Sequence, residues 1–378
     1  MKQTSVMIGM VCLMAACQSS YMKIEGDVGN REEDKIYIGE IENEYYNTFK
    51  VIDSAWIKGG KFSFVLKERR PQMLFLGFGQ GEGGRIFAEN GHLKVSVGSV
   101  SQGIVNWKVE GGYVNKRYAL YLRELYDAKQ RQVLDSLDNL FYAARARDDR
   151  EEMKRIKDES LPYCEVAEQA EKQLDMRWVE ANKENLLGIY LYYSKLFARK
   201  DFPELEDVNA ERSYLQKFGE VALQSVYRQR LEEKLDLYAG CAIGVTAPEI
   251  SGVDTLGNFL KLSDFRGRYV IVDFWNSYCH WCREETPWLR KSLEVFKDKN
   301  FTILGVSNDR KKDLWLNAIK EDGSHWNHLL LSPKDSVMAT YCIKGIPHVI
   351  LVGPDGKILA KGMRHEELTT VPATFISQ

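Results

Sequence analysis

The sequence predicts an α/β C-terminal domain, with a central mixed sheet flanked by helices, behind an antiparallel β-sandwich-like domain and a helical segment. Three observations carry this. Short segments of period two fill residues 22–112, a helical period takes over across residues 113–239, and strands then alternate with helices to the end of the chain. At 378 residues the chain is long enough for two or three domains.

The first element is an export signal over residues 1–16. Lys2 supplies the positive end, Val6 to Leu13 the apolar stretch, and Ala15-Ala16 the small residues before a cut. Cys17 follows at once. Met14-Ala15-Ala16-Cys17 resembles a bacterial lipoprotein signal, which implies that Cys17 is lipidated and that the mature chain is tied to a membrane outside the cytoplasm. Met14 stands where that pattern prefers Leu. No later run approaches the ~18 apolar residues of a membrane-spanning helix.

Residues 17–112 form the β-rich domain. Lys35-Ile36-Tyr37-Ile38, Phe49-Lys50-Val51-Ile52, Lys61-Phe62-Ser63-Phe64-Val65 and Leu93-Lys94-Val95-Ser96-Val97 each alternate, and Gly59-Gly60, Gly83-Gly84 and Asn90-Gly91 punctuate them. In residues 113–239, Tyr118, Leu122 and Leu125 share one helix face, as do Leu134, Leu137 and Phe141. The aromatic stretch Leu186 to Phe197 reads as core. Residues 240–249 are the linker into the last domain, residues 240–378. There a strand Tyr269 to Trp275 leads into a helix over 280–297, and a strand from Phe301 to Val306 into a helix over 311–321. A helix over 333–341, a strand from His348 to Val352, a turn at Gly353-Pro354-Asp355-Gly356 and a last strand from Lys357 to Lys361 complete the pattern.

The net charge of -2, and mixed signs around Arg145 to Lys157, give no ground for nucleic-acid binding. Seven cysteines are present. Cys12 leaves with the signal. Cys164, Cys241 and Cys342 are an odd set; Cys164 and Cys241 can bridge, and all three also read as small buried apolar residues. Cys279-His280-Trp281-Cys282 is different. It sits where a strand turns into a helix, so its two sulfurs can close into a small ring and reopen. The helix N-terminus favours a thiolate on the first. The chemical alternative is a metal site joining this pair to His325-x-x-His328, but the separation is long and no metal or other cofactor is expected.

Several separate matches identify the family. Ala247-Pro248-Glu249 with Leu262-Ser263-Asp264-Phe265-Arg266-Gly267, then Val272-Asp273-Phe274-Trp275 with the cysteine pair, Tyr341-Cys342-Ile343-Lys344-Gly345-Ile346-Pro347, and Gly353-Pro354-Asp355-Gly356-Lys357 together resemble the TlpA/ResA-like thiol:disulfide oxidoreductases of the thioredoxin superfamily. Ile52-Asp53-Ser54-Ala55-Trp56-Ile57 with Gly60 to Phe64 resembles, more loosely, a β-rich domain of unknown function that precedes such modules.

The resemblance implies a thioredoxin-like fold and a set of roles. Cys279 attacks and Cys282 resolves the mixed disulfide. Asp273 takes the place of thioredoxin's buried acid, Glu285 that of the acid six residues after the first cysteine, and either can be the base. Glu285 also reads as a favourable charge in a helix first turn. His280 and Trp281 tune the pair, Trp275 and Trp281 shield it, and Ile346-Pro347 is a cis peptide lining the substrate groove.

The expected function is reduction of disulfides in exported proteins by a lipid-anchored periplasmic enzyme, cytochrome c apoproteins being one client class. An oxidising compartment demands a membrane electron donor to keep the pair reduced. The competing classes are an envelope lipoprotein that binds a partner through residues 22–240 with a regulatory redox pair, and a thiol peroxidase. The latter lacks its expected Thr three residues before Cys279, where Asn276 stands.

Overall fold

The computed structural model describes residues 21–31, 35–43, 48–67, 72–78, 82–101 and 104–376. The export signal and Cys17 lie outside the described residues. The chain divides into two compact units, one of residues 1–199 with 218–228, the other of residues 200–217 with 229–378.

The first unit holds strands β1 (Tyr21–Asp27), β2 (Lys35–Asn43), β3 (Thr48–Trp56), β4 (Lys61–Lys67), β5 (Met73–Gly77), β6 (Gly83–Phe87), β7 (Gly91–Ser101) and β8 (Ile104–Glu110). They form one sheet in the order β3-β2-β5-β6-β8-β7-β1-β4. Pairing is antiparallel except at β1–β7 and β6–β8, which are parallel. In β4 every second residue is buried, as its alternation requires. Ile36 and Ile38 from one end of the sheet and Phe62, Phe64 and Leu66 from the other share one core. The sheet therefore folds over on itself, which is the sandwich-like arrangement the alternation predicts.

Helices follow as α1 (Tyr113–Asp127), α2 (Lys129–Ala146), α3 (Arg150–Glu180), α4 (Leu186–Leu191), α5 (Leu205–Leu215), α6 (Glu220–Leu223) and α7 (Val226–Gly240). α4 runs on into a π-turn, Tyr192–Leu196. The aromatic stretch is core, as its composition suggests: Tyr190 and Tyr192 are buried, and Tyr190 meets Phe87 edge-on. α5 and the later part of α7 belong to the second unit, although the sequence reads as one helical stretch there.

The second unit is a thioredoxin-like α/β layer. Its strands are β9 (Ser251–Val253), β10 (Phe259–Lys261), β11 (Tyr269–Trp275), β12 (Phe301–Ser307), β13 (Asn327–Leu330), β14 (His348–Val352) and β15 (Ile358–Lys361). Their order is β10-β9-β13-β12-β11-β14-β15. β11 is parallel to β12 and antiparallel to β14, so the sheet is mixed. Helices α8 (His280–Val295), α9 (Lys312–Asp322), α10 (Val337–Thr340) and α11 (Glu367–Ile376) complete it. Val270, Val272 and Phe274 of β11 enter one core cluster and Ile271 another, so this strand is covered on both faces. A central strand of this kind fixes whatever its C-terminal end presents. No helix among the described residues is long and apolar enough to cross a membrane.

Candidate active site

β11 ends at Trp275, and a short turn hands the chain to α8. The Asn276 side chain accepts from the Tyr278 amide at 3.1 Å, and the Cys279 amide donates to the Asn276 carbonyl at 3.2 Å. Ser277 is held by Asp309, whose carboxylate accepts from the Ser277 amide at 2.9 Å and hydroxyl at 2.6 Å. A second hydroxyl, Ser307 Oγ, donates to the same carboxylate at 2.7 Å.

Cys279 is the N-cap of α8, and its Sγ accepts from the Cys282 amide at 3.1 Å. Orphan amides at a helix start favour negative charge on that sulfur. Cys279 and Cys282 form a disulfide with their Cα atoms 5.2 Å apart. Cys279 is half-buried, whereas Cys282 is buried against Trp275, Trp315 and Ala318. One sulfur therefore faces a partner and the other does not. Tyr278 and Trp281 flank the pair with exposed rings. His280 is exposed too and lies 3.1 Å from Glu284, one helical turn on. The Ile346-Pro347 peptide is cis, and Ile346 packs against the cluster that holds Trp275 and Cys282.

The two acids differ sharply in surroundings. Asp273, on β11, is buried, and its Oδ1 has no hydrogen-bond partner among the described residues. Burial, reinforced by the charge of Glu285 and opposed by Arg364, pushes its carboxyl up to about 7. Glu285 is fully buried on α8. It accepts from Arg364 Nε through Oε1 and from the His365 amide at 3.0 Å through Oε2. His365 takes a left-handed backbone, φ 49°, to aim that amide. Asp273 is the acid raised toward neutral pH; Glu285 is held by the Arg364 guanidinium, the His365 amide and, at 3.6 Å, the His365 ring.

Residues 243–361 match the AhpC/TSA family, and residues 22–118 match a domain of unknown function, DUF4369. A thioredoxin domain of a thiol-disulfide oxidoreductase from Bacteroides vulgatus is 51% identical over 36% of this chain and 98% of its own, with a TM-score of 0.35. The chain belongs to the thioredoxin-superfamily thiol:disulfide oxidoreductases. A thiol:disulfide interchange protein from Bacteroides sp. is 50% identical over 37% of this oxidoreductase and 93% of its own chain, with a TM-score of 0.36. Thiol-disulfide oxidoreductase ResA of Bacillus subtilis (strain 168) is 28% identical over 116 residues, 31% of this chain and 64% of its own length.

The oxidoreductase brings Cys279, Cys282, Trp275 and Ile346 into one cluster, and joins Asp273 to Glu285 through their charges. His325 and His328 do not join the cysteines as ligands. His325 is exposed, while His328 lies on β13 with its ring stacked on Trp326 and edge-on to Trp275 and Trp315. Its Nε2 meets the Ser324 carbonyl at 3.0 Å, and burial lowers its pKa to about 4, so the ring is neutral. No group of three or more candidate ligands gathers among the described residues.

Three functional neighbours escape the sequence reading. Arg364 is 79 residues from the Glu285 it pairs with, and Asp309 is 32 from Ser277; no local pattern links either pair. Gly305 lies opposite Asp273 on β12, where a Cβ would come within 2.5 Å of His328 Nδ1 and 3.1 Å of Trp275 Nε1. A glycine inside an apolar strand was the available signal for that close approach.

Proposed function

We propose that the protein reduces disulfides of exported proteins by dithiol–disulfide exchange through Cys279 and Cys282. The observation that carries this reading is a disulfide at the start of α8 with one accessible and one buried sulfur. The Cys279 thiolate attacks one sulfur of a client disulfide; an S–S bond forms and the client's other sulfur leaves as a thiolate. Cys282 then gives its proton to Asp273, attacks Cys279 Sγ and expels the second client sulfur. The pair is left as the disulfide, and two electrons from a membrane donor restore the dithiol. Asp273 is the base in this scheme because it is the acid raised toward neutral pH; Glu285 positions α8 through Arg364.

Trp275 closes the buried side of the pair, while Trp281, His280 and the cis Ile346-Pro347 turn shape the surface a client meets. Cys17, as a lipid site, would hold the chain at the periplasmic face of an envelope membrane. Cytochrome c apoproteins are one client class. The experiment is reduction of insulin, or of a model mixed disulfide, by the purified protein with a thiol as electron source. Cys279→Ser should abolish turnover, and equal activity in that variant removes the proposal.

A further inference from the structure

We propose that Asp309 is the positioning residue of the reactive cysteine: it ties the turn before Cys279 to the end of β12, and so keeps Cys279 Sγ on the amides of α8 once the disulfide opens. The proposal deepens the exchange reaction above and takes the roles of the two cysteines from it. Asp309 is 5% exposed, although Asn308 and Arg310 on either side face solvent. Burying an acid is costly unless donors surround it, so the donors show which segment it holds. Ser277 supplies two of them, its amide to Oδ2 at 2.9 Å and its hydroxyl to Oδ1 at 2.6 Å. Ser307 Oγ adds a third, to Oδ2 at 2.7 Å. Ser307 is wholly buried, and its Oγ also accepts from the Asp309 amide at 3.0 Å. The carboxylate is thus anchored by β12 and aimed at the residue two before Cys279.

Two neighbouring strand ends are joined in this way. Trp275 stands beside Ser307 in the parallel pairing of β11 with β12, and both chains leave the sheet at that point. A lesser bond spans the same gap, from Asn276 Nδ2 to Asn308 Oδ1 at 3.3 Å. On its other side the turn runs into the helix cap, where the Cys282 amide donates to Cys279 Sγ at 3.1 Å. In the oxidised pair the S–S bond itself holds Cys279 Sγ beside Cys282. Reduction removes that tether. The sulfur then stays over the amides only if the backbone leading to it is fixed, because the favourable field of a helix start fades within its first turn.

A carboxylate near a thiolate also repels it, which makes the sign of the effect diagnostic. If Asp309 acted through its charge, removing it would lower the pKa of the Cys279 thiol. If it acts by holding the turn, removing it raises that pKa, since the thiolate loses its amides. The other charged groups around the start of α8 have partners of their own. His280 lies 3.1 Å from Glu284, and Arg283 donates to Asp322 at 2.9 Å and to Glu321 at 2.9 Å. Asp273 and Glu285 are buried behind the pair. All of these stay in place when only Asp309 or Ser277 is changed.

The test uses the reduced full chain and follows alkylation of Cys279 by iodoacetamide against pH, with the Cys279 peptide quantified by mass spectrometry. No client takes part, so failure of the exchange reaction would appear separately, as a parent protein that does not reduce insulin. Asp309→Ala should move the midpoint of the profile up by about one pH unit. Below both midpoints the thiolate is then about tenfold scarcer and each one about threefold more nucleophilic, so capture slows about threefold. Ser277→Ala keeps the amide bond and should move the midpoint about half as far, and it should add nothing to Asp309→Ala. Asp309→Asn can still accept from the Ser277 amide, with the two hydroxyls turned to accept from its own amide, so its midpoint should lie at or below the parent's. The proposal is overturned if Asp309→Ala, in a chain that keeps its parent's circular dichroism, leaves the midpoint unchanged or lowers it. It is equally overturned if Asp309→Asn raises the midpoint as far as Asp309→Ala, or if the Ser277 and Asp309 shifts add. Should Asp309→Ala not fold, Ser277→Ala decides alone: a raised midpoint supports the proposal and an unchanged one removes it.

Discussion

Asp273→Asn tests the site through stability as well as rate. The Asp273 carboxyl moves from its ordinary 3.8 to about 7 on folding. A carboxyl whose folded pKa is raised contributes stability that is complete below the unfolded pKa and is lost as pH rises through the folded one. Between pH 4 and pH 7 the unfolded chain ionises while the folded chain holds its proton. At about 1.36 kcal/mol per pH unit, the wild type gives up on the order of 4 kcal/mol across that window. Asparagine cannot ionise, so the variant escapes that loss. Urea unfolding followed by tryptophan fluorescence should give similar stabilities near pH 4, a variant advantage that grows to roughly 4 kcal/mol by pH 8, and no further divergence above that. Meanwhile resolution of a Cys279 mixed disulfide at pH 7 should slow by roughly 100-fold, at the low end of what a positioned base supplies. A stability difference flat with pH, or a wild type more stable at pH 8, refutes the assignment of a buried proton to Asp273.

Cys282→Ser should accumulate covalent client adducts at Cys279, seen as thiol-sensitive bands on non-reducing gels, and Cys279→Ser should show none. Arg364→Gln leaves the fully buried Glu285 with only His365, through its amide and its ring at 3.6 Å, and about 3 kcal/mol of stability should be lost in denaturant titrations at pH 7. Gly305→Ala drives a methyl group into His328 and Trp275, and should cost roughly 1–3 kcal/mol with an altered near-ultraviolet circular dichroism of the tryptophans. Trp281→Ala removes an exposed ring beside Cys279 without touching the core. It should raise KM for a protein client several-fold and leave reaction with a small disulfide nearly unchanged.

Local chemistry made the reactive end of the site legible in the sequence. The apolar run Tyr269 to Trp275 reads as a strand, and the structure covers that strand on both faces. The pair Cys279 and Cys282 marked the start of α8 by its own spacing, and Ile346-Pro347 carried its cis bond through the family likeness. What stayed hidden was set by tertiary pairing. β13 is four residues long, too short for a period to register, so the sequence offered His328 only as a formal alternative ligand, set aside on its spacing, and gave no sign of a strand residue walled by tryptophans. α10 is only Val337–Thr340, half the helix expected over 333–341, because Asp335 accepts from the Val337 amide and the chain turns sharply again at Cys342. The three remaining cysteines gave no local signal of their surroundings: Cys164 is exposed on α3 and Cys241 buried, both as free thiols, so the bridge open to them in the sequence is not formed.

Arg364 has a practical consequence for how this protein is cut. The AhpC/TSA match stops at residue 361, three residues short of that guanidinium. A fragment ended there would retain both cysteines and every strand of the sheet, yet strand a buried carboxylate on the active-site helix. It would also lose α11, whose Leu368 carbonyl accepts from Ser292 Oγ on α8 at 2.7 Å. A protease acting between residues 361 and 364 would therefore disarm the enzyme while sparing its cysteines, and a fragment meant to work alone must run past Leu368.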